Sequence, residues 1–143
     1  MKTWILVADA GRARLFESQA RDGMLAEIGS YANPDVHARG ADLAGDRPPR
    51  TQESANSTRH AIEPHTDPHD KAAIGFAKGL AEVLEQARVE HAYTRLLLVA
   101  PPRFLGQLRA ELGAQVGKLV AGSVGKDLTH ASNEDIRAVL DEV

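Results

Sequence analysis

Arg95–Arg109, RLLLVAPPRFLGQLR, decides the fold of this chain. Leu96 to Ala100 is a short apolar run, too short for a helix and the right length for a buried strand. Pro101 and Pro102 stop it, because proline cannot donate to a sheet ladder and restricts the residue before it. Pro102 also suits the first turn of a helix, where a missing N–H costs nothing. Leu105, Leu108 and Leu112 then recur at helical spacing and predict a helix over about 102–116 with one apolar face. A buried strand passing into a helix through a two-proline corner is half of a β-α-β unit, so a parallel sheet element is expected.

Working outward, Trp4 to Ala8 is continuously apolar and reads as a central strand covered on both faces. Asp9-Ala10-Gly11-Arg12 is a turn into a second strand over Ala13 to Ser18. Asp22-Gly23 is a strong hairpin signal leading to a third strand over Met24 to Tyr31. Asn33-Pro34 ends that strand and opens a long polar segment, 33–69. Asp67 as N-cap, Pro68 at the first helical position and Asp70 near the positive end start a helix running to about His91. Ala73, Ala77, Leu80, Leu84 and Ala87 form its buried side. Gly75 and Gly79 each cost that helix roughly 1 kcal/mol against Ala, a cost that close approach to the sheet would repay. Leu119 to Val124 reads as a fifth strand. Ser132 and Asp135 form a capping-box-like start to a last helix bearing Ile136, Val139, Leu140 and Val143.

The predicted order is β-β-β-α-β-α-β-α, an α/β fold in one domain spanning 1–143. Right-handed crossovers place the first, fourth and fifth strands parallel and adjacent, with the hairpin strands extending one edge. The result is a five-stranded mixed sheet of order 3-2-1-4-5 with three helices, the ribonuclease-H-like arrangement.

At 143 residues, 43% apolar and 26% charged, the chain has the composition of an ordinary globular domain. Such a domain buries roughly 68–70% of its unfolded surface. The net charge of -3 provides no global basic field for nucleic acid or anionic lipid. With no cysteine there are no disulfides, thiolate metal sites or Cys nucleophile, which fits the reducing cytoplasm. The apolar core of the N-terminus runs straight into Asp9 and Arg12, too short for a secretory signal. No segment approaches the ~18 apolar residues of a membrane span, so a cytoplasmic protein without a membrane partner is expected.

WILVADAGRARLFE at the N-terminus, RHAIEPHTD over Arg59–Asp67, LLLVAPPRFLGQLR over Leu96–Arg109 and GKDLT over Gly125–Thr129 resemble the bacterial host attachment protein family. The resemblance covers nearly the whole chain, and the family name carries no molecular activity. That family in turn is similar to the central domain of archaeal and eukaryotic peptide-chain release factors, which shares the ribonuclease-H-like topology. In that domain a Gly-Gly-Gln loop, placed between the antiparallel strands and the long helix, hydrolyses peptidyl-tRNA. Segment 33–69 stands at the matching place and holds no Gly-Gly pair. Gly106-Gln107 is the only Gly-Gln and falls on a predicted helix. Termination activity is therefore not carried over.

Two candidate sites follow. The carboxyl ends of the three parallel strands form a crevice of the kind ligands favour in open α/β sheets. It would gather Asp9, Arg12, Arg103, Lys126 and Asp127, able to hold a phosphate or carboxylate or simply to pair with one another. The second candidate is the polar segment, where Arg47, Arg50, Arg59, His60 and His65 could contact RNA phosphates. From Asn33 to Asp70, however, four arginines face seven acids, which excludes a simple basic arm. Between Arg39 and Ser57 the chain has little apolar area to offset its ordering, so few core contacts are expected there. His60, His65 and His69 superficially resemble a metal site, but Pro64 and Pro68 interrupt the spacing and no metal is assigned. A two-metal nuclease lacks an acid on the fourth strand. No Gly-x-Ser-x-Gly elbow surrounds Ser123 or Ser132. No cofactor motif is present.

The reading is a non-enzymatic binding module whose 33–69 segment engages RNA, the ribosome or a protein. The alternative is a small hydrolase using the crevice around Asp9, Arg103 and Asp127. Convergence of those side chains on one open pocket would favour the enzyme, and a crevice filled by its own ion pairs the binding module.

Overall fold

A computed structural model describes residues 2–18, 24–36 and 68–142. The Asp22-Gly23 turn, the Asp67 cap and the Arg39–Ser57 stretch lie outside them. Strand β1 (Thr3–Ala8) is buried from Trp4 to Ala8. It lies between β2 (Arg12–Ser18), antiparallel to it, and β4 (Arg95–Val99), parallel to it. β3 (Ala26–Ala32) pairs antiparallel with β2, and β5 (Val120–Val124) pairs parallel with β4. The sheet order is 3-2-1-4-5. Its strand directions and order are those expected from the sequence, a ribonuclease-H-like α/β sheet.

Alternation along the central strands serves two cores. Trp4, Leu6, Ala8, Leu15, Leu96 and Leu98 point to the first face. They pack there against α1 (Pro68–Val89), α2 (Pro102–Glu111) and α3 (Ala114–Leu119). Ile5, Val7, Phe16, Leu97 and Val99 point to the second face. That face is covered by α4 (Asn133–Leu140), whose single fully buried residue is Ile136. Continuous apolar strands are thus required, because both faces are dry.

The predicted buried side of α1 is buried as expected, joined by Ala72 and by Phe76, whose ring packs 6.2 Å from that of Phe104. Gly75 and Gly79 differ from expectation. Both are exposed, and a Cβ added at either would meet nothing within 4 Å, so neither allows close approach to the sheet. α1 stops at Val89 rather than His91, because His91 turns left-handed (φ 60). That conformation lets Ala92 N–H reach the carbonyl of Ala87 and His91 N–H that of Arg88, a C-terminal cap in which glycine is the usual residue.

The single helix expected over 102–116 is two, which makes four helices from Pro68 onward. Leu112 and Gly113 are extended (ψ 136 and 166) and break it. Beyond the break, Val116 of α3 is fully buried under the first face. β5 accordingly begins one residue later than predicted, at Val120.

Tyr93 joins the end of α1 to β1. Its ring stacks on Trp4 with centroids 4.8 Å apart, and its hydroxyl donates to the carbonyl of Leu84 at 2.8 Å. Burial, with a lesser push from Glu85, raises the phenol to about 12. The neutral phenol is the form that the fold favours, and the unfolded tyrosine ionises near 10. Its contribution is therefore fully present below pH 10 and is lost as pH rises from there toward 12. Urea unfolding at pH 8 and pH 11 should show wild type losing more stability than Tyr93→Phe over that interval. Equal losses would show that Tyr93 does not carry the alkaline sensitivity.

Candidate functional site

The β1–β2 connection is built around Asp9. Its N–H donates to the carbonyl of Arg12 at 2.9 Å and closes the turn. Its Oδ1 accepts the N–H groups of Gly11 (2.8 Å) and Arg12 (2.9 Å), the local bonding that makes aspartate a turn residue. Its Oδ2 faces the hydroxyl of buried Thr129 at 3.0 Å, and that hydroxyl also lies 3.0 Å from Oδ1 of Asp127. One hydroxyl proton thus serves two carboxylates and ties the turn to the loop after β5.

Asn33 locks the same turn from the other side. Its Nδ2 donates to the carbonyls of Ala10 (2.9 Å) and Ala72 (3.0 Å), and its Oδ1 accepts from Asp35 N–H. Its own N–H donates to the carbonyl of Gly11. A 3% exposed amide with every polar atom used fastens the end of β3 and the first turns of α1 to the Asp9 turn. Across the second face, Arg14 does comparable work. Its guanidinium donates to the carbonyls of Thr129 (3.2 Å) and Ala131 (2.8 Å), pairs with Glu27 and lies over the Phe16 ring.

Between these fastenings, at the carboxyl ends of β1 and β4, lies a crevice of about 610 Å³. Asp9, Arg12 and Arg103 line it, as the sequence suggested. Lys126 and Asp127 do not: Lys126 is exposed away from the lining, and Asp127 reaches Asp9 only through Thr129. The reason is that the loop after β5 turns toward the second face, where Arg14 holds it. His69, Asp70, Gln107 and His130 are lining residues the sequence reading did not assign to the crevice. Arg103 places one guanidinium nitrogen 2.6 Å from both oxygens of Asp70, joining the first turns of α2 and α1, and Gln107 adds a 3.4 Å contact. The Arg103 side chain is 74% exposed, so this pair contributes at most about 1 kcal/mol and acts mainly to position.

Of the three histidines considered for a metal, only His69 is among the described residues. Within these, no group of three or more His, Cys, Asp or Glu could hold a metal ion. Arg47, Arg50, Arg59, His60 and His65 lie outside the described residues. No described helix is long and apolar enough to cross a membrane.

Strand order, strand directions and crevice together define a small α/β domain of ribonuclease-H-like topology with its concave site at the strand ends. The chain belongs to the family described as "Protein required for attachment to host cells", whose model matches residues 4–140. No curated protein matches the sequence. Among solved structures, the archaeal translation termination factor aRF1 is similar in fold, with a TM-score of 0.52 at 9% identity over 99% of this chain. This chain spans 39% of that protein's length. The type II variant of the Ppx/GppA phosphatase of Aquifex aeolicus aligns over 87% of this chain and 35% of its own, at 16% identity and TM-score 0.40. At these identities the likeness is one of fold.

Proposed function

We propose that this domain is a non-enzymatic binding module that engages RNA of the translation apparatus. The observation that carries the non-enzymatic half is the state of Asp9. Hydrolysis at the crevice would need an acid with a free oxygen to act as base or metal ligand. Asp9 gives Oδ1 to two backbone N–H groups and shares Oδ2 with Thr129, and Asp70 pairs with Arg103, so both carboxylates already hold the turn and the helix starts in place. The likeness in fold to a translation termination factor, across 99% of this chain, supports a translation-related partner. Segment 33–69, which carries Arg47, Arg50 and Arg59, supplies the phosphate contacts in this reading. The small-hydrolase alternative is favoured by the convergence of Asp9, Arg12 and Arg103 on one open crevice, and opposed by the absence of Asp127 from its lining.

Arginines at these positions would neutralise about two or three phosphates, with log affinity falling by about 0.7 per phosphate on single strands as log salt rises. Binding of tRNA and of ribosomes, measured across a salt series, should be weak and salt-dependent. The triple variant Arg47/Arg50/Arg59→Ala should flatten the slope by about two units. Absence of salt-dependent association, or an unchanged slope in the variant, would remove RNA and leave a protein partner.

A further inference from the structure

β1 and β4 leave the sheet in opposite directions, one through the Asp9–Arg12 turn toward β2, the other through Pro101 into α2. Such divergence opens a crevice at strand ends. At about 610 Å³ this one has the size of small-molecule sites. Ala10, Ala73, Pro101 and Phe104 make its floor apolar, so much of its volume suits an uncharged, water-excluding body. The rim differs in character, with Arg12, Arg103, Gln107 and His130 supplying donors.

The charges on that rim are unevenly compensated. Asp9 accepts three hydrogen bonds from the turn and Thr129, as described above. Asp70 is met by a single nitrogen of Arg103, and no other described residue bonds the rest of that guanidinium fork. Neither the Arg12 guanidinium nor the His130 imidazole makes a hydrogen bond or ion pair with any described residue. Planar cationic forks over an apolar floor suit a phosphate carried on a flat organic body, because the fork matches phosphate oxygens and the dry floor strengthens the pairing.

We propose that the strand-end crevice binds a small organic phosphate of the nucleotide class. Arg12 and the open side of Arg103 take the phosphate, the floor of Ala10, Ala73, Pro101 and Phe104 takes the flat body, and Gln107 hydrogen-bonds its edge. The proposal is independent of RNA binding by segment 33–69, since Arg47, Arg50 and Arg59 take no part in it.

The test is a titration of the full chain, followed by amide chemical shifts, with AMP, adenosine and inorganic phosphate in parallel. AMP should shift Gly11, Arg12, Arg103 and Gln107, and should bind at least about tenfold more tightly than adenosine or phosphate alone. Arg12→Gln should weaken AMP about tenfold or more and leave adenosine unchanged. Ala10→Leu, which fills the floor and keeps the backbone carbonyl that Asn33 binds, should block AMP in a protein of unchanged fold. The Arg47/Arg50/Arg59→Ala variant should bind AMP as wild type does. The proposal is overturned if AMP leaves those four amides unmoved, if adenosine matches AMP, or if AMP binds Arg12→Gln as tightly as wild type.

Discussion

Asn33→Asp is expected to destabilise the domain by about 3–5 kcal/mol at neutral pH, the range for an uncompensated buried charge. The side chain is almost fully buried and its Nδ2 donates to two carbonyls, of Ala10 and Ala72. A carboxylate there loses both donors and faces two carbonyl oxygens. The loss is a large share of the 5–15 kcal/mol typical of whole domains. The variant also carries a pH signature. Its new carboxyl is held neutral by the fold, so its pKa is raised above the unfolded value near 4. The penalty must then shrink as pH falls toward that value and grow as pH rises above it. Urea unfolding of wild type and variant at pH 4.5 and pH 7.5 measures the difference. A penalty below about 1 kcal/mol, or one that does not grow with pH, would mean Asn33 is not the lock described here.

Ile136→Ala should cost about 2–5 kcal/mol, with the damage concentrated on the second face of the sheet. Among the described residues the first face is covered by three helices, whereas the second has one helix, α4, in which Ile136 alone is fully buried, beside Leu25, Leu128 and Ala131. Removing its side chain opens a cavity over Ile5, Val7, Phe16 and Val99. Arg14 still grips the carbonyls of Thr129 and Ala131, so the loop before α4 should stay in place while the helix itself loosens. Hydrogen exchange should therefore accelerate in 133–140 well before it does in β1 or β4. Uniform acceleration across the sheet would show instead that α4 and the sheet unfold as one unit.

The strands that determine the topology were legible because their apolar runs are continuous and sharply punctuated. Trp4–Ala8 and Leu96–Ala100 have no polar interruption, and Pro101-Pro102 and Asn33-Pro34 mark their surroundings. The break at Leu112-Gly113 was hidden, since leucine continues the helical stripe and a lone glycine is tolerated within one. The glycines of α1 were misread for a similar reason, because a glycine's cost is visible in sequence but the side of the helix it occupies is not. Of the crevice, Asp9, Arg12 and Arg103 could be placed from strand ends alone. Asp70 looked like a capping residue and Asn33 like a strand terminator, and both do those local jobs while also bonding across elements.

What the sequence determined by itself was therefore the periodicity of each element, the strand order that short right-handed crossovers impose, and family membership. What the tertiary structure decided was the partner of each polar side chain. Thr129 meets Asp9 across 120 residues and Arg14 meets Ala131 across 117, distances at which no local pattern signals contact. Hydrophobic burial is set by the alternation of side chains along one strand or helix, which the chain spells out locally. Hydrogen bonds depend on angle and on distances of about 3 Å between atoms that only the packed fold brings together.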